Sequence, residues 1–313
     1  MIVFTDISMI PYVKDRGWHM FNLLCPAMIG DRVDLLYPPK EIKDRASFDS
    51  NLFEQFYTGW ILNVFEDTDG GEQIYAGPMA VLVNLASASA SEIYSAAIQD
   101  YERGIIIGST TTGKGTAQVQ LDSLAHGQAT LTQRKFYRVT GGSTQNKGVI
   151  PDIKLVDIYN DEFGERKAKN ALKWDTIPTA PFKREGSVQP YTVKLTQLSQ
   201  QRVALDPQFK YLEERKAISQ KTADQKKVVL DIDQRRAELI DLEKQTLDAE
   251  NQRRKATGQA PYANWESYQA SIDALVESRA KMKAHLRPSL PEEETFITEA
   301  ANVLLDYAKL QGR

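Results

Sequence analysis

The sequence predicts an α/β core, a parallel or mixed sheet built on a βαβ unit, followed by an all-helical C-terminal domain. Met79–Asn84 (MAVLVN) and Gly104–Gly108 (GIIIG) are short unbroken apolar runs, as strands buried on both faces require. Between them Ser91–Asp100 reads as a helix. Ile93, Ala96, Ala97 and Tyr101 supply its apolar side, and Ser89 or Ser91 caps its start. Beyond Pro190 the composition shifts to Gln, Lys, Glu, Arg, Ala and Leu, all strong helix formers. Strand, helix, strand within about thirty residues implies parallel strands joined by a right-handed crossover.

Taken in order, residues 1–60 are an unassigned N-terminal segment. It holds short apolar runs at Ile2–Phe4 and Phe21–Cys25, and Val33–Tyr37 leads into Pro38-Pro39. Phe48, Leu52, Phe56 and Trp60 are spaced four apart, which predicts a helix over 44–60. Residues 61–156 form the α/β core. Within it Thr116–Leu121 and Ala129–Val139 alternate polar and apolar residues as strands do, Gly141-Gly142 turns the chain, and Gly148–Asp152 (GVIPD) is a rigid exit. Residues 157–186 are polar and turn-rich, with Pro178 and Pro181, and read as a linker. Residues 187–313 are the helical domain. Val228, Ile232, Leu239 and Leu242 mark a narrow apolar stripe on one long helix over 220–256. Gly258, Pro261, Pro288 and Pro291 punctuate two further helices. Partial heptads favour a helical hairpin over an extended coiled coil.

At 313 residues and 42% hydrophobic, the chain can bury a substantial core. Its net charge of −3 balances 39 Lys and Arg against 42 Asp and Glu, so nothing pulls it toward nucleic acid or an anionic membrane. One cysteine, Cys25, excludes an internal disulfide and a cysteine metal cluster. No stretch approaches the roughly eighteen unbroken apolar residues of a spanning helix. Met1–Asp6 lacks a basic region followed by a long apolar one, so no signal peptide is expected in this chain.

Three kinds of chemistry compete. Gly108-Ser-Thr-Thr-Thr-Gly113-Lys114 satisfies seven positions of a phosphate-binding loop. The eighth should be Ser or Thr for magnesium but is Gly115, and Thr116–Leu121 alternates like a strand rather than opening a helix. A Ser-His-Asp triad would need His19, His126 or His285. His126 sits in a polar turn, and no pair of histidines has metal-ligand spacing. A Ser-Lys dyad asks for a serine at a helix N-terminus, where backbone N–H groups stabilise an oxyanion, and for a lysine that burial turns into a base. Ser89, between Ala88 and Ala90, fits the first demand, and Lys114, between two glycines beside an apolar sheet, the second. A serine before a helix is also an ordinary cap and a Gly-Lys-Gly turn an ordinary exposed turn, so the residues alone leave both readings open.

Ala86–Ile93 (ASASASEI), Gln99-Asp100-Tyr101 and Gly113–Gln118 (GKGTAQ) resemble the carboxy-terminal processing peptidases, most closely the bacterial tail-specific proteases. Lys135–Gln145 (KFYRVTGGSTQ), Gly148–Ile153 (GVIPDI), Asn170–Ile177 (NALKWDTI) and the helical half through Leu304–Leu310 extend the resemblance over 65–313. The resemblance implies a serine endopeptidase acting on proteins with apolar C-terminal tails, without cofactor or metal, in the periplasm. It also implies a protein adaptor docking through the helical domain. Carried over by position, Ser89 is the nucleophile, Lys114 the general base, Gln118 the residue orienting the lysine, and Asp100 a supporting acid. Ala90 supplies a backbone N–H to the oxyanion hole, and Ser87 and Ser91 are structural. The family's N-terminal helical region and tail-gripping PDZ domain are not visible. Residues 1–60 lack the glycine-rich turn that gives the second oxyanion N–H, and Asp69-Gly70-Gly71 lies too close to the nucleophile strand to replace it. An insertion expected near 125–128 is short or missing. One lost oxyanion donor costs about 3–4 kcal/mol of transition-state stabilisation. The expectation is therefore a truncated, weakly active serine endopeptidase. The alternative is a non-catalytic protein-binding scaffold that keeps the dyad as a relic.

Overall fold

A computed structural model describes residues 2–4, 32–37, 61–66, 76–121, 126–159, 164–282 and 290–312. The predicted helix over 44–60 and the run Phe21–Cys25 lie outside the described residues. The two apolar runs are strands β4 (Ala80–Val83) and β5 (Ile105–Gly108), every residue of both buried. They pair in parallel from Ala80↔Ile105 to Val83↔Gly108. β1 (Ile2–Phe4) flanks β4 and β8 (Ile153–Lys154) flanks β5, both in parallel, giving the order β1-β4-β5-β8. Two antiparallel ribbons stand apart from this sheet. One pairs β2 (Arg32–Tyr37) with β3 (Ile61–Glu66), the other β6 (Thr116–Leu121) with β7 (Ala129–Lys135). The predicted strand Ala129–Val139 thus ends early, and Phe136–Val139 continue as a loop.

Because side chains alternate across a strand, the sheet has two apolar faces. Met79, Val81, Val83 and Ile106 face helix α1 (Ala90–Asp100), meeting Tyr94, Ala96, Ile98 and Tyr101. The buried side of α1 is therefore rotated from the expected one: Tyr94 and Ile98 are buried, while Ile93 and Ala97 are half-buried. Ala80, Leu82, Ile105, Ile107 and Ile153 form the other face. That face is covered by α2 (Gln189–Leu205), α3 (Pro207–Asp224) and α6 (Pro291–Leu310), through Leu195, Phe209, Leu212, Ala300 and Val303. The helical half thus shares one core with the sheet.

Each helix start has a local cause. Pro190, Pro207 and Pro291 sit in first turns, where the missing N–H costs nothing. Asp206 accepts the Gln208 N–H, Asp231 those of Asp233 and Gln234, and Asn264 that of Ser267. The long helix expected over 220–256 is two helices, α3 and α4 (Ile232–Ala256), separated at 225–231 and packed as a hairpin. The stripe also differs: Val228, Ile232 and Leu239 are exposed near the hairpin tip, where Leu230 is 94% exposed. Helix α5 (Trp265–Lys281) follows Gly258 and Pro261 as expected. Among the described residues no helix is long and apolar enough to cross a membrane.

The stretch 164–188 has little regular structure but is held down. Ile177 donates to Gly141 O, Ala180 to Val139 O, and the Trp174 indole to Ser143 O. Helices α2 and α6 are tied by Arg202, which grips the buried Glu299 carboxylate through Nε and Nη2 and reaches Asp306 with Nη1. Arg202→Ala leaves Glu299 buried without its cation and is expected to cost about 3 kcal/mol in urea unfolding.

Candidate active site

Between β4 and α1 the chain turns within six residues. The Asn84 side chain accepts the Ala86 N–H at 3.0 Å, and Asn84 O accepts the Ser87 N–H at 2.9 Å. Asp157 braces the turn by accepting the Leu85 N–H at 3.1 Å and the Ser109 hydroxyl. Ala86, Ser87 and Ala88 are buried, so the run of small residues is what lets the backbone fold so tightly. Ser89 closes the turn at φ 57° and ψ −113°. A non-glycine residue adopts that conformation only where its surroundings impose it. Its side chain makes no capping hydrogen bond. The next residue, Ala90, is exposed, and its N–H has no acceptor among the described residues.

The second turn, Thr111–Gly115, lies against the first. Thr112 N–H donates to Ser87 O at 3.0 Å and the Thr112 hydroxyl to Leu85 O at 2.6 Å. Gly113 has φ 87°, and a Cβ on Gly115 would stand 2.5 Å from Gln145 N, so close approach demands the glycine on either side of Lys114.

One buried carboxylate joins the two turns. Glu92 Oε2 accepts the N–H of Ser89 at 2.9 Å and of Lys114 at 2.8 Å. Its Oε1 accepts the N–H of Gly113 at 2.7 Å and the Thr111 hydroxyl. Burial pushes the Glu92 carboxyl above its ordinary pKa, and these four hydrogen bonds pull it back part of the way. Glu92 went unassigned in the sequence, although Ser89-x-x-Glu92 has the spacing of a capping box.

The structure brings Ser89, Ala90 and Lys114 to one place at the level of the backbone. Lys114 is half-buried, and among the described residues no hydrogen bond joins its ammonium to the Ser89 hydroxyl. Gln118 lies elsewhere: exposed on β6 after an irregularity at Ala117/Gln118, it donates to Thr132 Oγ1 at 3.4 Å across the ribbon. Asp100 ends α1, about 16 Å along the helix from Ser89. It holds Arg138 in a two-pronged ion pair at 2.6 and 2.9 Å and so anchors the loop after β7. The expected absence of a glycine-rich oxyanion turn concerns 1–60, of which only β1 and β2 are described.

Comparison with known proteins finds two family matches in succession along the chain. Residues 34–155 match peptidase family S41, and residues 158–309 match the C-terminal domain of tail specific protease. The tail-specific protease of Haemophilus influenzae is 42% identical over 189 residues, covering 56% of this chain and 27% of that protein. The carboxy-terminal-processing protease of Bartonella bacilliformis is 43% identical over 76 residues, covering 24% of this chain and 18% of that protein. Among solved structures, a photosystem II D1 C-terminal processing protease aligns with TM-score 0.31 and 30% identity, over 43% of this chain and 30% of that one. The chain thus spans well under a third of the curated relatives' length. A segment matching peptidase family S41 thus runs directly into one matching the C-terminal domain of tail specific protease, the two together spanning 34–309.

Proposed function

We propose that this chain carries the nucleophile and base of a serine endopeptidase of the tail-specific type. The observation that carries the reading is Ser89, a strained non-glycine residue opening a helix, with its amide tied through Glu92 to the amide of Lys114. In this mechanism Ser89 Oγ attacks the scissile carbonyl carbon while Lys114 Nζ takes the hydroxyl proton. The free N–H of Ala90 faces the developing oxyanion. Lys114 then protonates the departing amine, and water, deprotonated by the same lysine, releases the acyl group from Ser89. Asp100 acts through Arg138 as a brace for the far end of the nucleophile helix. Substrates are proteins with apolar C-terminal tails, the setting is periplasmic, and the helical half offers a face for an adaptor protein.

A second reading, a non-catalytic protein-binding scaffold, is favoured by one observation, the missing hydrogen bond between the Ser89 hydroxyl and the Lys114 ammonium. Digestion of an unfolded protein with an apolar C-terminus separates the two. Cleavage by the wild type, reduced about 10³-fold or more in both Ser89→Ala and Lys114→Ala, supports the dyad. Cleavage that persists in both variants refutes it, and a folded but inert wild type favours the scaffold.

A further inference from the structure

The Gly113-Lys114-Gly115 turn is gripped by a second set of groups besides Glu92. Gln145 is 1% exposed, and its Oε1 accepts the Gly115 N–H at 2.9 Å. Its Nε2 donates to Glu165 Oε2 at 3.2 Å, and its own N–H donates to Ser143 Oγ at 3.0 Å. An amide has one accepting end and one donating end, so the Glu165 carboxylate decides which end faces Gly115. Glu165 also touches the turn directly, its N–H donating to Thr112 O at 3.1 Å. Asn146 N–H adds a bond to Gly113 O at 2.8 Å. All three amides of the turn are therefore held by side chains from elsewhere: Gly113 and Lys114 by Glu92, Gly115 by Gln145.

We propose that Gln145, oriented by Glu165, is a positioning residue that sets the backbone of the lysine turn independently of Glu92. Glu165 lies in the stretch matching the C-terminal domain of tail specific protease, so that domain forms part of the wall of the turn carrying the base. The functional side of this inference rests on the Ser89–Lys114 reading, while the turn geometry does not.

The test uses the full chain with Gln145→Glu and with the exchanged pair Gln145→Glu/Glu165→Gln. In the single variant two carboxylates face each other, whereas in the double variant the amide at 165 donates to the carboxylate at 145. Hydrogen exchange at Gly115 is expected to quicken about tenfold in Gln145→Glu, the scale of one lost buried hydrogen bond. Phosphonylation of Ser89 by a small fluorophosphonate is expected to slow about tenfold, with its pH midpoint displaced. The double variant is expected to return both readouts to within about threefold of the wild type. Unchanged exchange in Gln145→Glu, or a double variant no better than the single one, overturns the proposal. A wild type that never labels at Ser89, with exchange responding as expected, overturns the nucleophile reading and leaves the role of Gln145 in the turn standing.

Discussion

Glu92→Ala is expected to destabilise the protein by about 3 kcal/mol and to abolish any reactivity of Ser89. Four donors converge on this carboxylate, three of them backbone amides of the two turns. Each buried donor left without an acceptor costs about 1–3 kcal/mol, and water entering the space left by the side chain recovers part of that. The functional loss has a separate origin. Ser89 sits at φ 57°, where an L-residue remains only while its surroundings hold it. Its N–H bond to Glu92 is one of those restraints. Without the carboxylate, Ser89 relaxes and the lysine turn loses two of its three amide anchors. Urea unfolding and hydrogen exchange at Ser89, Gly113 and Lys114 check this together. A stability change below about 1 kcal/mol with unchanged exchange would mean that Glu92 is not the joint between the turns.

Gly108→Ala is expected to cost about 4 kcal/mol, combining backbone strain with overpacking. Gly108 has φ 128°, a conformation reserved for glycine, and a Cβ there would stand 1.9 Å from Val83 O. Those residues are register partners at the ends of β5 and β4. Val83 O already accepts the Ser109 N–H at 3.0 Å, so the strands cannot part without losing that bond. Since Asn84 starts the turn toward Ser89, splaying the strands at Val83 also displaces Ser89. Thermal unfolding should show a fall of many degrees, and a melting point within a degree or two of wild type would contradict the tight approach of β4 and β5.

The parts of this fold legible in the sequence are those set by local rules. Unbroken apolar runs locate β4 and β5, the small residues before Glu92 locate the turn, and paired glycines locate the lysine turn. Three features were not legible. The buried side of α1 includes Tyr94 and Ile98 because the sheet, rather than the helix's own pattern, decides which stripe is covered. The stripe at Val228, Ile232 and Leu239 reads as packing but lies exposed near a hairpin tip, since periodicity shows amphipathicity without naming a partner. Glu92 and Gln145 act through contacts with residues about twenty to thirty positions away, and nothing in their immediate neighbours announces such bonds. Only the capping-box spacing of Ser89 and Glu92 was available as a signal, and it accounts for one of the four bonds.

The central claim is that the two turns present Ser89 as a nucleophile and Lys114 as its base. It is tested most directly by labelling the folded chain with a fluorophosphonate and mapping the adduct by mass spectrometry. The expected result is a single adduct on Ser89 in the wild type, formed about 100-fold or more slowly in Lys114→Ala. An adduct on another serine, or a Lys114→Ala protein that labels at the wild-type rate, would contradict it.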